Sequence, residues 1–225
     1  MATRTTSRRR SRTDSARFTR SQVVWLCLLG AMTSFGALLL ALQDRPGTPP
    51  SAFAAAPATD ARTAPRLDAI FRTTETISRE QWSGIVIHHS GAPAGSAQTI
   101  ERQHTDRGLR GLGYHFVIAN GQGAPDGQIH VGYRWDYQLP GAHTAGPQAD
   151  QLNRSTIGIC LVGDGERRAF SESQLARLAD LVTTLQRDLG IPDDAVILHR
   201  DVSPTTSPGR LFPEAAFRAI LAETR

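Results

Sequence analysis

The sequence predicts an α/β fold: a single domain over residues 67–225 with a central mixed β-sheet of about five strands flanked by helices. Three observations carry this. Short β-branched runs alternate with amphipathic stretches, a pattern of strands interleaved with helices. Asn-Gly, Asp-Gly and single glycines punctuate the runs as turns. Two histidines, His88 and His199, fall at the C-terminal ends of two such runs, where open α/β sheets place their ligand sites.

The elements follow in order. Gly84 to His88 reads as a buried strand, short and β-branched. Ala97 to Arg107 reads as a helix, with Ser96 as N-cap and Gly108 just past its end. Tyr114 to Ala119 is a strand that turns through Asn120-Gly121. Gln128 to Tyr133 is a strand after Asp126-Gly127, and Thr156 to Val162 another, ending at Gly163. Ser171-Glu172-Ser173-Gln174 fits a capping box. It opens the clearest helix, whose apolar stripe is Leu175, Leu178, Leu181, Val182, Leu185 and Leu189. Gly190 and Pro192 terminate it. Ala195 to Leu198 is a strand delivering His199. Pro213 opens a final helix with Phe217, Ile220 and Leu221 inward.

Ahead of this domain the composition changes. Residues 1–22 form a basic, polar segment. Residues 23–42, VVWLCLLGAMTSFGALLLAL, carry no charge over 20 positions. A helix of that length rises about 30 Å, enough to cross the hydrocarbon core. Arginines precede it and Asp44 follows, so the positive-inside rule sets the N-terminus in the cytoplasm. A single-pass inner-membrane anchor with the C-terminal domain in the periplasm is therefore expected. The rival reading is secretion after signal cleavage near Ala52-Phe53-Ala54. That site lies far beyond the apolar run, which is itself long for a signal peptide. Residues 43–66 are a linker; its last 23 residues hold seven Ala and five Pro, a semi-rigid spacer.

Charge excludes one class of partner. All 25 basic residues are Arg, so no lysine can act as base or Schiff-base amine. Residues 1–66 hold 10 Arg against three acids, a net of +7; residues 67–225 hold 15 Arg against 18 acids, a net of −3. The basicity belongs to the N-terminal segment, and no nucleic-acid partner is expected for the folded part. Cys27 and Cys160 give no disulfide framework and read as apolar filler.

All seven histidines follow residue 87. Neutral imidazole is a common zinc ligand, and a catalytic zinc takes three protein ligands plus an open position. His88 and His199 can supply two.

Six segments then appear in order: IVIHHS (85–90), GLGYHFVI (111–118), DGQIHVGYR (126–134), GAHT (141–144), NRSTIGICLVGDG (153–165) and HRDVSPTTSPG (199–209). Together they resemble the zinc N-acetylmuramoyl-L-alanine amidase and peptidoglycan-recognition protein family. The resemblance implies zinc (Zn) as cofactor, held by His88 and His199. Its third ligand, a Cys or Asp before Pro-Gly, falls on Ser207. The resemblance implies that Tyr114 aids catalysis beside the metal and that Thr205 contacts the developing oxyanion. It places His143 where substrate binds. The implied reaction is hydrolysis of the amide between N-acetylmuramic acid and L-alanine, with peptidoglycan or muropeptides as partners. An alcohol stays protonated near neutral pH and is a weak zinc donor. Ser207 therefore also admits a second expectation, a peptidoglycan-recognition module without turnover.

Overall fold

The computed structural model describes residues 67–223. The basic segment 1–22, the expected transmembrane helix 23–42 and the linker 43–66 lie outside the described residues. Among the described residues no helix is long and apolar enough to cross a membrane.

The chain enters through a single 3-10 turn, Leu67–Phe71. Then follow β1 (Gly84–His89), α1 (Ala97–Asp106), β2 (Phe116–Ile118), β3 (Ile129–Val131), α2 (Tyr133–Asp136), α3 (Ala149–Ser155) and β4 (Thr156–Leu161). After these come α4 (Glu172–Leu189), β5 (Val196–Leu198), α5 (His199–Val202) and α6 (Glu214–Glu223). The five strands form one sheet in the order β3-β2-β4-β1-β5. β1 pairs in parallel with β4 and β5, β2 pairs in parallel with β4, and only β2–β3 is antiparallel. The predicted mixed sheet of five strands is present.

β1 and β4 are central and buried on both faces, which is why they read as continuous apolar runs. One face packs Ile85, Ile87, Ile157, Ile159 and Leu161 against the stripe of α4, in which Leu178, Leu181, Val182 and Leu185 are fully buried. Each such side chain contributes roughly 1.5–3 kcal/mol by leaving water. The helix starts at the predicted capping box, with the Ser171 side chain accepting from Gln174 N and Gln174 reaching back. It stops at Gly190, whose φ of 75° is left-handed. Gln174 also donates from Nε2 to Ile118 O and Val162 O, tying the helix start to the ends of β2 and β4.

The smaller, opposite cluster holds Ala97, Ile100, Leu112, Val117, Cys160 and Val162. Above it, at the carboxyl ends of β1 and β5, sits the site. His88 pairs in register with Cys160, so these side chains lie on one side of the sheet.

Several boundaries differ from expectation. The predicted strands 114–119 and 128–133 contract to three residues each. Tyr114 leaves the ladder toward the site, and Tyr133 begins α2 after Gly132 N bonds His115 O. His199 opens α5 instead of ending a strand. The short helices α2, α3 and α5 are unpredicted. α3 buries none of its residues, so it leaves no apolar periodicity to find.

Candidate active site

β1 carries His88, fully buried, and α5 carries His199, half-buried. Their rings lie 4.3 Å apart between centroids. His88 Nδ1 and His199 Nε2 are buried and have no hydrogen-bond partner, the only such side-chain atoms among the described residues. Buried polar atoms are almost always paired, so two orphans on adjacent rings point to a ligand of their own. Burial, then His143 and His199, hold His88 well below its ordinary pKa. Burial lowers His199 to about 4. Both rings are therefore neutral at physiological pH, the form a metal accepts.

Ser207 is buried beside this pair. Its Oγ accepts the backbone N–H of His89 at 3.0 Å, which fixes it to the end of β1. Its carbonyl accepts Arg200 N at 2.8 Å, and its N–H donates to Thr205 Oγ1 at 3.2 Å. Arg200 extends the clamp by donating from its guanidinium to Gly209 O and pairing with Glu214 of α6. The His89 ring adds a second tie. Its Nδ1 accepts Gly165 N at 3.0 Å, and the ring bonds the Pro208 carbonyl. The turn through Gly165 meets that loop so closely that a Cβ on Gly165 would sit 2.0 Å from Pro208 O. His89 is thus structural.

Tyr114 packs its ring 5.1 Å from His88 and 5.2 Å from His104. Burial first, and then Cys160, push its phenol well above 10. It is a neutral donor here, not a base. Burial also raises the Cys160 thiol far above its ordinary range. Thr205 is half-buried, and its hydroxyl oxygen already serves Ser207 N–H.

His143 is 6 % exposed and lies behind His88, not in an open groove. Its Nδ1 is 3.1 Å from His88 Nε2 and its Nε2 is 3.2 Å from Thr156 O. Burial lowers its pKa to about 3. The loop bearing it is pinned by α3. Asn153 Oδ1 accepts from His143 N and Thr144 N, and Asn153 O accepts from Gly141 N. This is the work of a helix with no apolar face. Asn153 was legible only as part of a family-like segment, and no periodic signal marks it.

Of the residues singled out in the sequence, His88, His199, Tyr114, Thr205 and Ser207 therefore gather at one end of the sheet. His115 is a packed histidine, its ring edge-on to Trp82 and its nitrogens bonded to Gly158 N and Leu139 O. Asp201 accepts from Leu198 N and caps α5. Among the described residues no set of three His, Cys, Asp or Glu side chains is placed to hold a metal ion. Any metal here would rest on two imidazole nitrogens and oxygen donors.

Residues 78–210 match the family described as N-acetylmuramoyl-L-alanine amidase, more than half of the chain. The chain belongs to this amidase family. The family match and the endolysin relatives support N-acetylmuramoyl-L-alanine amidase activity on peptidoglycan. Relatives include an endolysin of Escherichia phage T7, 29% identical over 139 residues, covering 58% of this chain and 82% of the phage protein. Peptidoglycan-recognition protein 2 of Holotrichia diomphalia is 27% identical over 161 residues, covering 60% of this chain and 80% of its own. Among solved structures, the endolysin amidase LysCS from Clostridium intestinale superposes with a TM-score of 0.55 at 28% identity, covering 64% of this chain and 86% of LysCS. Drosophila PGRP-LB superposes at 0.51 with 26% identity, over 64% and 85%. These solved relatives share the fold described above.

Proposed function

We propose that this amidase-family chain is a zinc-dependent N-acetylmuramoyl-L-alanine amidase of the cell wall. The observation that carries the metal reading is the pair of unpartnered nitrogens, His88 Nδ1 and His199 Nε2. They are neutral, buried and adjacent, and they would hold zinc with the Ser207 hydroxyl as a third donor. When bound, zinc would supply Lewis acidity and an acidified water for attack on the scissile amide. The remaining tasks fall to the chain. The Tyr114 phenol keeps its proton and can donate to a developing charge on substrate. The Thr205 hydroxyl, accepting from Ser207 N–H, has its own proton to direct outward at the carbonyl oxygen. The buried His88–His143 wall keeps bulk water from one side of the site.

A second reading, a peptidoglycan-recognition module without turnover, is favoured by Ser207 itself, since a neutral alcohol binds zinc more weakly than thiolate or carboxylate. Incubating the full-length chain and its Ser207→Cys variant with purified sacculi separates the two. Mass spectrometry reads whether stem peptides with a free L-alanine amine are released. Release by the parent chain supports the amidase. Release by the Cys variant alone, with the parent still binding sacculi, supports the recognition module.

The expected location is the envelope. Residues 23–42 would anchor the chain in the inner membrane and the 43–66 linker would hold the domain in the periplasm, facing its substrate. Membrane fractionation followed by protease accessibility of the domain in spheroplasts tests this; recovery from the medium as a shortened chain would favour signal cleavage instead.

A further inference from the structure

We infer that His143 is a positioning residue that sets which nitrogen of His88 is bare; the consequence for metal binding rests on the zinc reading above. The Thr156 carbonyl faces the His143 ring. A backbone carbonyl can only accept, so the 3.2 Å contact requires the proton of His143 on Nε2. A neutral imidazole with a proton on Nε2 has a lone pair on Nδ1. That lone pair faces His88 Nε2 at 3.1 Å, so His88 must carry its proton there. The remaining nitrogen, His88 Nδ1, is then the bare one, and it is the atom left without a partner. One carbonyl on β4 thus dictates, through two rings, the lone pair offered beside His199. The ring nitrogen opposite a metal is commonly fixed in this way by an acceptor.

The ring is held to this task by shape. A Cβ on Gly158 would lie 2.5 Å from His143 Cδ2, and one on Gly141 would lie 2.3 Å from the same atom. Only a slot between two glycines admits the imidazole. Asn153 fixes the backbone on which it stands. With both nitrogens engaged, His143 has no ring nitrogen free to contact substrate.

The test uses the full-length chain labelled with 15N-histidine and freed of metal. Two-bond proton–nitrogen spectra report which nitrogen of each ring is protonated, and a competing chelator reports zinc affinity. In the parent chain His88 and His143 should both be Nε2–H. His143→Leu should leave His88 distributed over both tautomers and weaken zinc by about 10–100-fold. His143→Asn, whose Oδ1 can stand in for Nδ1 as acceptor, should restore both readouts. A proton on Nδ1 of His88 in the parent chain would overturn the inference. So would a Leu variant with unchanged tautomer and affinity. If the Leu variant does not fold, the parent spectrum and the Asn variant decide. A parent chain with the expected tautomers that binds no zinc would refute the metal reading while upholding the role of His143.

Discussion

Ser207 Oγ accepts the backbone N–H of His89 across 118 residues of sequence, at 3.0 Å. The bond joins the loop after α5 to the strand that carries His88. Through the serine oxygen it fixes the third candidate ligand position relative to the first. Ser207→Ala removes the acceptor and leaves that N–H unsatisfied, at about 1–2 kcal/mol. The thermal midpoint should fall by roughly 3–6 °C. An unchanged midpoint would show that the loop is held by Arg200 and His89 without it.

Ser207→Cys tests the chemistry of the same position. A thiolate is a far better zinc donor than an alcohol, so zinc affinity should rise by about tenfold or more. A chelator competition measures it. Equal affinity in both chains would mean that position 207 does not face the metal.

Tyr114→Phe keeps the ring against His88 and His104 and removes only the hydroxyl. Because the phenol is a neutral donor, turnover should fall by roughly 10²–10⁴-fold while zinc affinity holds. A loss of zinc affinity instead would make Tyr114 a packing residue of the metal site.

Acid should destabilise the domain in a defined window. Burial holds His115 at about 4 and His143 at about 3, both below the ordinary 6.5. The unfolded chain therefore takes up these protons first as pH falls. Stability is complete above about pH 6.5 and is lost from there down toward pH 3–4. Each fully buried ring contributes on the order of 3 kcal/mol across the window. Denaturant midpoints measured from pH 7 to 4 should decline; a flat profile would contradict the buried, neutral assignment.

The sheet and its long helix were legible because their signals are local: β-branched runs, a capping box, and an apolar stripe ended by Gly190. The positions of His88 and His199 followed, since His88 lies near the end of one readable strand and His199 directly follows another. Tyr114 and Ser207 were legible only through family-like segments. The setting of His143 was not legible at all. It depends on the Thr156 carbonyl, on the absence of a side chain at Gly158, and on Asn153 of α3, and none of these leaves a periodic trace. Gly158→Ala would convert that spatial fact into a measurement, because its Cβ collides with the His143 ring. Overpacking should cost about 1–3 kcal/mol, and zinc affinity should fall with it.

The proposed zinc site rests on the two orphaned imidazole nitrogens, His88 Nδ1 and His199 Nε2. The most direct measurement is stem-peptide release from sacculi by the chelator-stripped full-length chain, titrated with zinc, beside His199→Ala. Activity should appear with one equivalent of zinc in the parent and be absent from the variant at the same zinc level. Release by the stripped parent without zinc, or equal release by His199→Ala, would contradict it.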